Sequence, residues 1–451
     1  MIRFRRAAVC VLWGFLAGGS VAVAAEPGER PKITAVWPAG PLETRVAFDR
    51  AIEPAASAAL VGATITLDTR TRVVSTRGEV KQGAAPADDP AVGTLRIAAA
   101  RIADDGRTLV IVHDPHAREG IYTFSIPVGK KESLPATYDL TGVECVWERG
   151  DEQGSPAWSG WWPELNVEAT RQATRGSVEH ERGLALLADV GRLTLRTLVT
   201  LPPGRVTFRL DANRPLIEAT IAGENAQPMT APDGTQRIEA AVESTGDVTD
   251  VSVTLRTGPG KSPLAVRALY QVDRAKEALA VPRAWQSVAW APGRPPSSGP
   301  PPALPDLSGG DRARGEALFY GDVARCANCH MVRGKGKSVG PDLTGIAGRD
   351  RASIYRDIAE PSAVIRPDYV PYTVALKDGR IVAGIVRADG AEAIRVTDTE
   401  ARSTVVKRAE IDDLRPSTTS IMPVGLVGAL GEARLRDLLA FLTAPQPPSG
   451  R

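Results

Sequence analysis

Cys326-Ala327-Asn328-Cys329-His330 is a C-x-x-C-H run, a spacing that puts two thiols and an imidazole on one face of a helical turn. Thiols so placed add across the two vinyl groups of a haem while the imidazole beneath them reaches the iron, which is the attachment chemistry of c-type haem. A zinc ribbon needs a second pair of cysteines or histidines at ligand spacing. Beyond the motif and the leader, the chain offers only Cys145 and the scattered His113, His116 and His180. A thioredoxin-like redox pair needs a βαβ frame that this stretch lacks. One such motif sets the expected cofactor at one covalently attached haem c.

Outward from the motif, Asp311 to Tyr320 reads as an amphipathic helix, with Gly315 and Phe319 spaced to meet a second helix closely. Gly340-Pro341-Asp342-Leu343-Thr344-Gly345 follows, and Ser420-Ile421-Met422-Pro423 stands before a terminal helix, Gly431 to Leu442. That helix carries the apolar stripe Leu435, Leu438, Leu439 and Leu442. Four strands are expected between these ends: Tyr372 to Leu376, Arg380 to Val386, Ala393 to Thr397 and Thr404 to Lys407. Lys377-Asp378-Gly379 and Ala388-Asp389-Gly390 supply their hairpin turns. Gly336-Lys337-Ser338 imitates the end of a P-loop, but Met331 holds the position of the earlier glycine and no strand leads in. This lysine-bearing loop reads instead as a frame for an exposed haem edge, suited to an acidic redox partner.

The order helix, C-x-x-C-H, G-P-x-L-x-G, M-P, terminal helix resembles class I cytochromes c. Within that class the domain is similar to the putative haem-binding domain of Planctomycetes and Verrucomicrobia, through Val339-Gly340-Pro341-Asp342-Leu343-Thr344, Glu360-Pro361-Ser362, Lys377-Asp378-Gly379-Arg380 and Ser420 to Leu426. The resemblance implies a mainly α domain over 308–444 with a small β-meander inserted at 370–410. It implies His330 as proximal ligand, with the Pro341 carbonyl holding its second ring nitrogen. Leu343 is expected on the haem edge and Arg349 beside a propionate. Met422 matches the distal ligand loop, and its thioether favours Fe(II). Of the other methionines in the mature chain, Met331 directly follows the proximal histidine and Met229 lies far upstream in a polar loop.

Two further regions are expected upstream, both β-sandwiches. From 30 to 130 short alternating runs such as Thr108-Leu109-Val110-Ile111-Val112 are separated by turns. Val46 to Pro54 (V-A-F-D-R-A-I-E-P) gives this region a resemblance to bacterial Ig-like domains, which implies a scaffold. From 137 to 290 the strand candidates are Val178–Leu187, Arg192–Leu201, Arg205–Leu210, Ile217–Ile221 and Val251–Leu255. Trp158, Trp161 and Trp162 open this second region, either as a platform for sugar rings or as plugs of a core or seam. Cys145 is expected to be a buried apolar residue. Between 291 and 307 seven prolines form a linker, expected to tether the last domain away from the sandwiches.

Residues 1–25 carry Arg3, Arg5 and Arg6, an apolar run and a small-residue end, the pattern of a cleaved secretory signal. Without its three arginines the chain has 52 basic against 53 acidic side chains, a net of −1. That balance gives no ground for a nucleic-acid partner. The expectation is a periplasmic or secreted protein that relays electrons with a periplasmic dehydrogenase or another cytochrome. A haem enzyme or gas sensor with an open or displaceable distal site is the alternative. Polysaccharide binding through the tryptophans is an accessory reading.

Overall fold

The computed structural model describes residues 30–68, 72–74, 80–82, 92–116, 118–128, 132–150, 156–246, 248–275, 277–291, 305–362 and 365–444. The expected signal segment, 1–25, and residues 292–304 of the linker lie outside the described residues.

Alternation of apolar and polar residues builds the N-terminal region, because side chains of period two face opposite sides of a strand. In Ile121–Pro127 the buried residues are Tyr122, Phe124 and Ile126. Seven antiparallel strands form one sheet, in the order Ile33–Gly40, Glu43–Phe48, Thr108–His113, Val92–Ile102, Thr64–Asp68, Ile121–Pro127, Ser133–Tyr138. The long strand Val92–Ile102 pairs with Thr64–Asp68 through its first half and with Thr108–His113 through its second, with a register shift between Ile97 and Ala99. A bulged strand shared in this way folds the sheet over its own core, which is centred on Trp37, Phe48 and Tyr122.

The second region pairs two antiparallel sheets over one core. One has the order Pro156–Trp162, Val143–Arg149, Gly191–Thr200, Val248–Thr257, Leu216–Ile221, Glu224–Asn225. The other runs Met229–Thr230, Gln236–Ser244, Gly204–Ala212, Val266–Val272, Leu279–Ala280. Leu193 and Val253 from the first share the core with Phe208 and Ile238 from the second. Four strand expectations match these strands. The fifth is corrected, because Val178–Leu186 is an α-helix. Its buried residues His180, Gly183 and Leu184, followed by Leu187, recur at helical spacing.

The C-terminal region is helix-rich with short strands set between the helices. Its helices are α1 (Arg312–Tyr320), α2 (Arg351–Ala359) and α3 (Leu426–Leu442), the last broken at Gly431. Between α2 and α3 lie β1 (Pro371–Leu376), β2 (Ile381–Asp389), β3 (Ala393–Thr397), β4 (Ser403–Lys407) and β5 (Ile411–Pro416). They pair in the order β4-β3-β2-β1-β5, all antiparallel. The four expected strands are present, and β5 extends the insert past residue 410.

This sheet does not stand away from the sandwiches, which corrects the expectation for the linker. Leu42 of the first sandwich belongs to the insert's own apolar core. Asp114 Oδ1 accepts the Ala388 amide at 3.0 Å, and Arg96 donates to the Ala388 carbonyl at 2.8 Å. The Tyr372 hydroxyl donates to the His116 carbonyl. Arg408 lies 3.6 Å from Glu43, which Arg45 links in turn to Glu179 of the second region.

Candidate functional site

The C-x-x-C-H segment is held between two crossing helices and a loop. Asp311 caps α1 by accepting the Arg314 amide at 2.8 Å. Gly315 then lets α1 approach α3 so closely that a Cβ on it would lie 1.9 Å from the Asp437 carbonyl oxygen. Phe319 is fully buried and meets Phe441 with ring centroids 5.5 Å apart. Sequence reading did not find Asp437, whose half-hidden role is to bind the start of α1. Its carboxylate accepts the Asp311 amide at 2.6 Å and the Arg314 guanidinium at 2.8 and 3.0 Å. Those bonds hold its carboxyl below the ordinary range.

Cys326–Asn328 forms a single 3-10 turn. The Cys326 carbonyl accepts both the Cys329 amide, at 3.1 Å, and the His330 amide, at 2.8 Å. Thus the two cysteines and the histidine lie on one tight turn, and both thiols are free rather than joined in a disulfide. Desolvation pushes the Cys326 thiol up to about 11 and raises Cys329 as well, so both are protonated thiols at neutral pH.

The segment after the turn folds back on it. The Cys329 carbonyl accepts the Val339 and Gly340 amides at 3.0 and 2.7 Å, and the Met331 carbonyl accepts the Leu343 amide at 2.8 Å. His330 Nδ1 lies 2.9 Å from the Pro341 carbonyl oxygen. A carbonyl only accepts, so Nδ1 carries the proton and Nε2 keeps its lone pair. Burial lowers the imidazole's affinity for a second proton, which keeps that lone pair available. Gly340 is pressed against the ring: a Cβ there would lie 2.7 Å from Cε1 of His330. The loop therefore fixes the imidazole by one hydrogen bond and one steric wall.

Cys326, Leu343 and Met422 are half-buried members of one apolar cluster, together with Ile346, Leu426 and Val427. Met422 is oriented through its backbone, its amide donating to Ser420 Oγ at 3.1 Å, while the Ser420 amide donates to Ser362 Oγ at 3.0 Å. Both serines belong to motifs read from sequence, but neither was given a role there. Arg349 stands apart, its guanidinium bound to Asp357 at 2.5 Å and both side chains exposed. Its charge is thus already compensated by a carboxylate.

A row of half-buried apolar side chains, two unpaired thiols and an imidazole with one nitrogen fixed form a donor set suited to a haem. They are a poor match to a metal cage. Among the described residues no three His, Cys, Asp or Glu side chains converge to hold a metal ion.

The remaining sequence candidates fall elsewhere. Trp158 and Trp162 are buried in the core of the second region, and Trp161 is buried among the core residues of the first. The tryptophans are thus plugs of a core or seam, the second of the two readings of this cluster. Cys145 is fully buried, its thiol raised chiefly by desolvation. Met229 is half-exposed on a two-residue strand of the second region.

Comparison with known proteins defines the class of the C-terminal region. A profile of the cytochrome c family matches residues 312–378, the stretch from α1 through the C-x-x-C-H turn to the end of β1. The chain thus carries a C-terminal cytochrome-c-like domain. No curated protein matches the chain. Among solved structures, an anti-sigma factor domain-containing protein is 12% identical over 55% of this chain and 84% of its own, with a TM-score of 0.25. Another, from Clostridium clariflavum, is 10% identical with a TM-score of 0.24, again over 55% of this chain and 84% of its own. The PA14 domain of the antifreeze protein MpAFP is 12% identical over 37% of this chain and 81% of its own, with a TM-score of 0.21. Likeness at that level carries no argument about this chain.

Proposed function

We propose that the protein is an exported monohaem c-type cytochrome that relays single electrons, of the kind represented by the putative haem-binding domain of Planctomycetes and Verrucomicrobia. The observation that carries this reading is the Cys326–His330 turn, with His330 Nδ1 bonded to the Pro341 carbonyl inside a cytochrome-c-like domain. Cys326 and Cys329 are the attachment thiols, His330 the proximal ligand through Nε2, and Met422 the distal ligand. Leu343 covers the cofactor's edge. Arg349 serves a propionate only by exchanging its bond to Asp357. The haem supplies one reversible electron, and the chain contributes ligands, an apolar wall and exclusion of water.

With His330 and Met422 both as ligands, the iron would have no site left for substrate, which favours relay over catalysis. The leader-like pattern of residues 1–25 supports a protein of the periplasm or the cell exterior, where the attachment chemistry occurs. Its partner is a redox protein, a periplasmic dehydrogenase or a further cytochrome.

The test is the visible spectrum of full-length protein matured with haem-attachment machinery, oxidised and reduced, beside Met422→Ala and Cys326→Ser/Cys329→Ser. A low-spin spectrum with a weak far-red sulfur-to-Fe(III) band, absent in Met422→Ala, is expected, as is loss of covalent haem in the cysteine variant. A high-spin spectrum indifferent to Met422→Ala would overturn the relay and favour ligand binding or haem catalysis.

A further inference from the structure

We propose that the first sandwich, by seating the inserted sheet, positions the Met422 loop, with Asp114 and Arg118 as its positioning residues. This rests on the reading of Met422 as distal ligand.

The argument begins with how the sheet is spliced into the domain. The chain leaves the helical part after α2 and Glu360-Pro361-Ser362, crosses the five strands, and returns along β5 to Met422, six residues beyond Pro416. So short a segment transmits a displacement of its anchor. The outgoing and returning segments are also stitched together. The Ser417 amide donates to the Pro371 carbonyl at 2.8 Å, and the Ser420 amide to Ser362 Oγ at 3.0 Å. Ser420 Oγ in turn accepts the Met422 amide at 3.1 Å.

The first sandwich grips this assembly at the outgoing segment and within the sheet itself. Arg118 donates to the carbonyl of Ile365, which lies on the outgoing segment before β1 and is itself buried. Asp114, only 8% exposed, accepts the Ala388 amide near the far end of β2. A buried carboxylate bonded to a backbone N–H is a charge-assisted contact, and removing it leaves that amide without a partner. A fixed sheet and a six-residue return then hold the thioether in register with the iron.

The experiment follows the far-red band of the oxidised, haem-loaded, full-length protein against temperature. It compares Asp114→Ala, Asp114→Asn, Arg118→Ala and Tyr372→Phe, with near-ultraviolet circular dichroism of the tryptophans as the measure of sandwich unfolding. Asp114→Ala and Arg118→Ala should each shift the equilibrium constant for band loss by about tenfold, well below the temperature at which the sandwiches unfold. Asp114→Asn, whose carboxamide oxygen accepts the same N–H, should restore the band. Tyr372→Phe, which deletes the hydroxyl bond from the insert side, should act in the same direction. A wild-type band whose loss is unmoved by these variants, or moves only together with sandwich unfolding, overturns the proposal and leaves Met422 as ligand. No band in the wild type removes the Met422 reading, and the proposal with it.

Discussion

The second sandwich and the helical end of the C-terminal domain are both apolar cores, but they close to different degrees. Among the described residues, thirty-one buried residues of the sandwich are flanked by four half-buried apolar ones; in the helical cluster eleven are flanked by ten. Two apposed sheets bury each other's inner faces and need no third component. Three short helices and a loop cannot enclose an interior alone, so Leu343, Ile346, Met422 and Leu426 stay at its margin. Apolar side chains aligned along one margin mark a binding surface. The comparison teaches that one region is closed by its own packing while the other leaves an apolar margin, on which the haem proposed above would add stability.

The strongest way to break the comparison is Gly315→Val. The added carbons would meet the Asp437 carbonyl, forcing α1 and α3 apart at a cost of at least about 3 kcal/mol. Yield of covalently loaded protein should collapse while the tryptophan signal of the sandwiches keeps its midpoint. A shared loss would show that the regions fold as one unit. Next, Leu439→Ala, in the closed part of the helical cluster, should cost about 3 kcal/mol with or without haem. Leu343→Ala, at the margin, should cost under about 1 kcal/mol before attachment and more after it. Chemical denaturation of both forms checks this, and equal costs for Leu343→Ala in the two would erase the distinction.

Acid should act first on the sandwiches. His180 is buried, bonded to Ser177 and to the Trp161 carbonyl, and desolvation lowers it to about 4. The unfolded chain therefore takes up this proton first, near pH 6.5. Stability from this site is complete above that pH and falls as pH drops toward 4, by about 2 kcal/mol between pH 7 and 5. Thermal unfolding across that range should show the decline, and His180→Gln should remove this site's share of it while the buried His113 and His116, also lowered by desolvation, keep the rest. A small effect, at most about 1 kcal/mol in the helical transition, is also expected of Asp437→Asn. The amide oxygen still caps Asp311 while the charge toward the exposed Arg314 is lost.

Sequence shows these regions unevenly. The C-x-x-C-H turn, the seam of Gly315 and Phe319 with the terminal helix, and four insert strands are all local patterns, and local patterns survive folding. Val178–Leu186 misled because two acids and a histidine break its apolar stripe, so a short helix passed for a strand. Strand β5 was hidden by Asp412, Asp413 and Pro416, residues that strands usually avoid. The seat of the insert was invisible for a different reason. Asp114 meets the backbone of Ala388, 274 residues away, and a backbone amide carries no signature of its residue. Arg349 pairs with Asp357, a contact that its motif position does not encode.

The grip of Asp114, Arg96 and Arg118 on the insert also bears on kinetics. A cytochrome domain on a free tether visits its donor by swinging, and its turnover reaches a ceiling set by that motion. A domain bolted to its scaffold has no such step. Reduction of this protein should then rise in proportion to partner concentration, with a slope governed by ionic strength and encounter.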